Sequence, residues 1–267
     1  MQSEAYKLTG FTAVASALGF LLRWLQDMQI LDPDTGLAVS GRPISYIVAA
    51  VIVLMAAGLF AAASYILKRC DAPTEPERAL TGKTFLYTAI CVVPALLMAV
   101  SGLMMLFSSA WPERQAAVWR ICGVMAVAAA LGVTLVTVNL AKPEREASRR
   151  VGMGILILFG AMWLIAEYKT AASDPVVWRF AVEVLAICAA LMAFYYVAGY
   201  FFGEVGSRGA VFFCYLGAFL CVMSAVDEHS LGESLCYGAC ALLLFAWGFV
   251  LTSNMRLTEE QPKEKRD

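Results

Sequence analysis

The stretch "ISYIVAAVIVLMAAGLFAAASYIL", residues 44–67, contains no charged side chain. A helix rises 1.5 Å per residue and the hydrocarbon core of a bilayer is about 30 Å thick, so about 20 apolar residues are enough to cross it. A membrane β-strand needs only about 9–11 residues, in which apolar and polar side chains alternate. Residues 44–67 are therefore predicted to form one membrane-spanning helix.

Seven further apolar runs of comparable length occur in the 267-residue chain. The limits of all eight runs are about 8–26, 44–67, 84–107, 116–140, 151–168, 176–203, 209–227 and 231–252. Hydrophobic residues make up 61% of the chain and charged residues 15%, against about 45–50% and about 25% in soluble domains. We predict an all-α, polytopic integral membrane protein with a single helical domain over residues 1–255 and a disordered tail over 256–267.

The distribution of lysine and arginine predicts the orientation of this protein. With an even number of spans and both termini in the cytoplasm, 14 of the 20 basic residues lie on the cytoplasmic side. Short cytoplasmic loops carry this excess in multi-pass proteins. We therefore expect eight helices, both termini cytoplasmic, and localisation in the plasma membrane.

Charge and motif content exclude several classes of function. A net charge of −1 gives no basic surface for nucleic acid. The chain has no GxSxG elbow, and its lysines lie away from the serines in the apolar runs, so a serine hydrolase is not supported. Bis-histidine haem ligation is excluded because the chain has a single histidine. We predict no catalytic residue, no metal and no cofactor, and an enzyme is the least favoured of the functions considered below.

Two segments share Val-Trp-Arg at an offset of 59 residues, namely "AAVWRI" at 116–121 and "PVVWRF" at 175–180. In both, the motif opens a helix that follows an outer turn. One interpretation is a parallel repeat of helical hairpins. The other is that tryptophan and arginine are common at a membrane interface.

Ionisable residues inside the apolar runs are concentrated towards the outer side. Such groups cost about 2.5–3.5 kcal/mol at the centre of a membrane helix, so each one needs a physical reason. The candidates for an outward-facing polar pocket are Arg23, Arg120, Glu167, Arg179, Glu183 and Asp227. Three arginines could hold a carboxylate or phosphate through forked hydrogen bonds. The competing interpretation is that these side chains extend to the headgroups or pair locally.

A second arrangement consists of His229, Glu233, Cys236 and Cys240, whose spacings of 4, 3 and 4 share one helix face. Imidazole, thiolate and carboxylate are ligands of zinc and copper. The segment "DEHSLGES" at 227–234 instead has the composition of a turn, which would place His229 outside the helix. We adopt the turn and predict no metal site.

The connection after the first run contains "DPDTGL", with Asp32, Pro33, Thr35, Gly36 and Leu37. This segment resembles one found in uncharacterised multi-pass bacterial membrane proteins, over about the first quarter of the chain. The resemblance implies a bacterial membrane protein and brings no activity with it.

Three functions are compatible with these features. The first is a permease-like protein that binds or transports a small anionic solute from the outer side. The second is a non-catalytic membrane subunit or scaffold, whose basic inner loops at 68–83 and 142–150 would contact a protein partner or anionic lipid. The third is an enzyme at the outer face that uses Glu167, Glu183 or Asp227 as acid or base. The first is our working hypothesis, with the bilayer as the common partner of all three.

Overall fold

The computed structural model describes residues 2–30, 42–82, 85–108, 111, 113–140, 142–171, 177–227 and 229–257. Eight of the described helices are long and apolar enough to cross a membrane, which confirms an all-α polytopic membrane protein. The helices are α1 (Gln2–Ile30), α2 (Pro43–Arg69), α3 (Pro76–Leu80), α4 (Phe85–Phe107), α5 (Glu113–Asn139), α6 (Glu146–Ala171), α7 (Val177–Phe202), α8 (Ser207–Ser224) and α9 (Leu231–Ser253), with a 3₁₀ turn at Pro143–Arg145.

Two helix boundaries differ from the predicted ones in ways that matter. Helix α1 begins six residues before the predicted start, because polar residues extend it beyond the apolar run; Lys7 and Glu4 pair at 2.8 Å on its first turns. Helix α8 ends at Ser224, three residues before the predicted end, so Asp227 lies in a turn. The short helix α3 was not predicted, because five residues between two polar segments give too little periodicity.

Helices α4 to α9 form a closed ring. Each packs against the next one in the chain, and α4 also packs against α9. Helices α1 and α2 pack outside the ring, mainly against α8. The most hydrophobic window of α9 is 72% buried and that of α2 only 17%, so α9 lies in the protein core and α2 lies towards lipid.

Glycines allow close contact between three consecutive helices. A Cβ atom on Gly102 of α4 would lie 2.6 Å from the carbonyl oxygen of Gly123 of α5. A Cβ atom on Gly132 of α5 would lie 2.7 Å from the carbonyl oxygen of Gly152 of α6. Small residues let backbones approach in this way when helices associate in membranes.

We call the end of the bundle at which α1 ends and α2 begins the outer end, following the predicted orientation. At the opposite, inner end, β1 (Cys70–Asp71) pairs antiparallel with β2 (Arg256–Leu257). The predicted tail therefore starts with two residues that are paired. Asn254 Nδ2 donates at 3.0 Å to the carbonyl oxygen of Ala79, which fixes α3 beneath α9.

Several predictions fall on other residues. The "DPDTGL" segment and tail residues 258–267 lie outside the described part of the chain. So does the Trp178 side chain, and the hairpin repeat stays a prediction.

Candidate functional site

Arg23 points into the protein and pairs with Asp227. Its Nε donates to Asp227 Oδ1 at 2.7 Å, and the two side chains are 3% and 5% exposed. Its Nη1 donates to Gln26 Oε1 at 2.8 Å, and Gln26 Nε2 donates to Ser45 Oγ at 3.2 Å. The polar residues at the end of α1 therefore bind the α8–α9 turn on one side and the start of α2 on the other.

The α8–α9 turn, described at residues 225–227, 229 and 230, lies below the outer ends of the neighbouring helices. Arg23, its partner, is seven residues before the end of α1, which corresponds to about 10 Å along the helix axis. Ser101, six residues before the end of α4, donates to the carbonyl oxygen of Gly232 at 2.7 Å. Non-helical backbone at membrane depth is tolerated only where it is buried in protein or lines a polar cavity. The short helix α8 thus places irregular, polar backbone inside the bundle.

Glu183 of α7 is the centre of a carboxyl group cluster. Glu167 of α6 lies within hydrogen-bonding reach of it, and the two residues are 4% and 9% exposed. Two carboxylates offer each other no donor, so a hydrogen bond between them needs a proton. Glu183 also lies next to the turn, since its carboxylate, Asp227 and His229 have ligand atoms within 4.8 Å of one another.

His229 joins this cluster from the turn. Its Nε2 lies 3.0 Å from the carbonyl oxygen of Ser224 and 4.0 Å from Glu183 Oε1. Burial lowers the pKa of the His229 imidazole to about 4, so the ring is neutral at pH 7. The ring stacks on Tyr237 of α9 with centroids 4.9 Å apart, which fixes its plane. We call Arg23, Glu167, Glu183, Asp227 and His229 the outer cluster.

An aromatic layer lies directly inward of the outer cluster. Trp163, one turn before Glu167 on α6, contacts Phe159 and Tyr237 at centroid distances of 5.7 and 4.7 Å. All three rings are fully buried. Because they come from α6 and α9, which lie across the ring of helices from each other, these side chains pack across the interior of the bundle on the inner side of the outer cluster.

Buried polar atoms without a hydrogen-bond partner among the described residues concentrate here. Five of the eight such atoms lie at this position, namely Trp163 Nε1, Glu167 Oε2, Ser224 Oγ, Asp227 Oδ2 and Tyr237 Oη. An unsatisfied buried polar group costs about 1–3 kcal/mol. These five atoms line the outer cluster and the aromatic layer, so donor and acceptor atoms that could still bind a ligand lie where the carboxyl groups meet.

The six predicted pocket residues have different positions. Arg23, Glu167, Glu183 and Asp227 are buried and come together. Arg120 is exposed on α5, and the side chain of Arg179 lies outside the described residues, one turn before Glu183 on α7. Of the three arginines predicted to bind an anion together, Arg23 is thus the only one whose described side chain lies at the site. The solute-binding role of the six residues stays a prediction.

The second predicted arrangement is divided between two environments. His229 lies outside α9, as the turn interpretation requires, and Ser230 caps that helix. Ser230 Oγ accepts from the Glu233 backbone N–H at 3.4 Å, and Glu233 Oε2 accepts from the Ser230 backbone N–H at 2.8 Å. Cys236 and Cys240 contact each other in the core. Spacing along α9 could not reveal that His229 turns towards Glu183 on α7.

A cleft of about 360 Å³ lies at the inner end between α3, α6 and α7. Its buried cation is Arg149, which binds Glu77 and donates to the carbonyl oxygen of Leu140 at 2.9 Å. Arg150 donates to the carbonyl oxygen of Phe201 at 2.9 Å and pairs with Glu146. Both arginines therefore have acidic partners, and they hold the inner ends of three helices together.

Comparison of the chain with protein-family models, with curated proteins and with solved structures finds no match in any of the three. Its function therefore has to be argued from the outer cluster itself.

Proposed function

We propose that the chain is a permease-like, multi-pass membrane protein whose outer cluster binds a small cation. The observation that carries this proposal is the excess of buried acid over buried base. Arg23 pairs with Asp227 at 2.7 Å, and Glu167 and Glu183 place two more buried carboxyl groups around this single arginine among the described side chains. Buried carboxylates need a proton or a bound cation to offset their loss of hydration.

The same charges argue against the anionic solute that the sequence suggested. An anion entering the outer cluster would meet Glu167 and Glu183 at close range, and the Nε and Nη1 donors of Arg23 are already engaged by Asp227 and Gln26. Like charges at 4 Å repel by about 4 kcal/mol at an effective dielectric constant of about 20. A cation meets attraction at the same positions.

Burial distinguishes a small ion from a larger substrate. The side chains of His229 and Glu183 are only 5% and 11% exposed. An enzyme acting on an organic substrate at the outer face would need these groups open to that substrate. An ion of atomic size needs only the space between side chains, so we favour ion binding over catalysis.

In this proposal the aromatic layer is the barrier that controls movement of the ion towards the inner end. A cation bound at the outer cluster is separated from the inner half of the bundle by Phe159, Trp163 and Tyr237. Movement of the ion towards the inner end therefore requires these rings to separate. The described arrangement corresponds to a state that is closed on the inner side.

Uptake into proteoliposomes tests the proposal. The full chain is reconstituted, and accumulation of Na⁺, K⁺, Ca²⁺, Mn²⁺ and Zn²⁺ is measured by mass spectrometry beside labelled phosphate and acetate. We expect saturable uptake of at least one cation, and a fall of about tenfold or more in Glu183→Gln, equivalent to about 1.4 kcal/mol. Glu204→Gln, an exposed site at the inner end, is the matched control and should match wild type.

Uptake of phosphate or acetate that depends on Arg23, with no cation taken up, would replace the proposal with the anion permease. Failure of every solute to exceed protein-free vesicles would leave the subunit or scaffold interpretation as the better account.

A further inference from the structure

We infer that Glu183, Asp227 and His229 form a binding site for a divalent transition-metal ion of the zinc class. This inference rests on the proposed cation-binding function and specifies its ion. The three residues come from α7 and the α8–α9 turn, and their ligand atoms already lie within 4.8 Å of one another.

The distances suit a metal after small side-chain movements. Zinc binds imidazole nitrogen at about 2.0–2.1 Å and carboxylate oxygen at about 2.0–2.2 Å, and ligands on opposite sides of the ion are therefore about 4 Å apart or less. His229 Nε2 and Glu183 Oε1 are 4.0 Å apart. Bringing the three ligand atoms onto one ion needs shifts of about 1 Å, which rotation of the two carboxyl groups supplies.

Asp227 is arranged as a metal ligand with a supporting partner. Arg23 occupies Oδ1, while Oδ2 has no hydrogen-bond partner among the described residues although the residue is only 8% exposed. Carboxylates that bind metals are held by a hydrogen bond of this kind, which fixes their orientation. Arg23 therefore leaves one oxygen of Asp227 available to the ion and sets its direction.

His229 is held in place by stacking on Tyr237. Stacking on Tyr237 fixes the plane of the ring, and Nε2 lies 3.0 Å from the Ser224 carbonyl oxygen. Binding through Nε2 requires the ring proton on Nδ1, so the contact with Ser224 is exchanged for the bond to the metal. Metal affinity therefore depends on the imidazole as well as on the carboxylates.

The ligand types select the metal. Calcium takes six to eight oxygen ligands, and magnesium prefers oxygen and water. The imidazole favours zinc and its transition-metal neighbours, which also accept carboxylate oxygen, and catalytic zinc sites have three protein ligands and one open position. Glu167, in contact with Glu183, is placed to provide the fourth ligand or to accept a hydrogen bond from a bound water.

Charge supports a divalent ion. Once a metal ion displaces the proton between Glu167 and Glu183, the ionised Glu167, Glu183 and Asp227 with Arg23 have a net charge of −2, which one divalent cation neutralises. Glu233 is the next acidic group, and it is engaged with the Ser230 backbone in the helix cap. Asp27 on α1 is half-buried, one turn from Arg23.

Metal titration of the purified full chain tests the inference. Zn²⁺ binding is measured by calorimetry, and Co²⁺ binding by its visible absorption, at constant pH and ionic strength. We expect one site per chain, and an affinity lower by about tenfold or more in His229→Gln, equivalent to about 1.4 kcal/mol. Glu183→Gln should have the same effect, while the Glu204→Gln control should bind as wild type does.

The choice of variants distinguishes a loss of metal binding from a loss of the folded structure. Removing Asp227 would break its buried ion pair with Arg23 and so disturb the fold, so His229→Gln carries the test, and its thermal unfolding is compared with that of wild type. Cobalt bound by thiolates has an additional strong near-ultraviolet band. Appearance of that band, or Zn²⁺ binding unchanged in His229→Gln, would overturn the inference.

The outcomes also separate this inference from the proposed function. Binding or uptake of Na⁺ or Ca²⁺ that depends on Glu183, without Zn²⁺ or Co²⁺ binding, would refute the metal site and leave the cation permease standing. Absence of all cation binding would refute both.

Discussion

Arg23 Nε and Asp227 Oδ1 lie 2.7 Å apart although 204 positions separate the two residues in the chain. The pair connects α1, which packs outside the ring of helices, to the α8–α9 turn inside the bundle. Both side chains are nearly inaccessible. The first helix is thereby tied to the residues that form the outer cluster.

Breaking this pair should destabilise the protein strongly. We expect Arg23→Gln or Asp227→Asn alone to lower the free energy of unfolding by about 3–5 kcal/mol, because each leaves a buried charge unpaired. The double variant should lose less than the sum of the two. Unfolding in mixed micelles measures all four proteins. Glu4→Gln breaks the exposed pair with Lys7 and should leave the stability close to that of wild type, because solvent-exposed ion pairs contribute little. Additive single effects would show that the two residues are not coupled.

Gly132→Ala should loosen the contact between α5 and α6. The new Cβ would lie 2.7 Å from the carbonyl oxygen of Gly152, and backbone cannot move aside as a side chain does. We expect a loss of about 1–3 kcal/mol, the usual cost of overpacking. Thermal unfolding followed by labelling of the buried cysteines measures it.

Gly154→Ala is the matched control, because nothing lies within 4 Å of its Cβ position. Alanine is the better helix former by about 1 kcal/mol, so this variant should be neutral or more stable. Equal effects of the two substitutions would contradict the described helix contact.

Ser230 should stabilise the start of α9 through its cap. Ser230→Ala removes the acceptor of the Glu233 backbone N–H, and we expect a loss of about 1 kcal/mol. Ser230→Thr keeps a hydroxyl group and should retain most of the stability, and Glu233→Gln keeps the reciprocal bond to the Ser230 backbone. Thermal unfolding of the three variants checks this. A Ser230→Ala protein as stable as wild type would refute the cap.

The Glu77–Arg149 pair predicts a dependence of stability on pH. Burial is the largest single influence on Glu77 and opposes its ionisation, but the hydrogen bond with Arg149, a backbone hydrogen bond and the charge of Arg149 together outweigh burial and lower the pKa of Glu77. A lowered pKa in the folded state means that the stabilisation is complete above the ordinary pKa of about 4.3 and is lost as pH falls through the folded value. Glu77→Gln should therefore be less stable than wild type at pH 7, and the difference should shrink below about pH 4.3.

Thermal unfolding from pH 7 to pH 3 measures that difference. Glu75→Gln is the control, since Glu75 pairs with Arg78 on an exposed surface, and it should differ little from wild type at every pH. A Glu77→Gln deficit that is constant down to pH 3 would contradict the assignment.

The general fold could be predicted from the sequence because the signal for a membrane helix is local. A charge-free run such as 44–67 identifies its helix without reference to any other part of the chain. The burial of Arg23, Glu167, Glu183 and Asp227 together was also foreseeable, since ionisable groups in spans face the protein interior. Arg23, Glu167 and Glu183 lie towards the outer ends of their helices and Asp227 lies just beyond the end of α8, and antiparallel packing brings those ends together.

The remainder of the site depends on the three-dimensional arrangement of the helices. Arg120 is as polar as Arg23 and lies as close to a helix end, yet its side chain points outward; only the rotation of α5 decides this. His229 approaches Glu183 because α8 is short and its turn lies inside the bundle. The composition of the sequence predicts the end of α8 three residues too late, so it gives no sign that a turn lies inside the bundle at this position.

Charge displacement on a solid-supported membrane tests the central claim, cation binding at the outer cluster, most directly. Liposomes containing the full chain are exposed to a step in divalent-cation concentration at constant pH and ionic strength. We predict a saturable displacement current in wild type and in Glu204→Gln, and its loss in a Glu183→Gln protein with an unchanged thermal transition. A wild-type current equal to that of protein-free liposomes, or an undiminished current in Glu183→Gln, would contradict it.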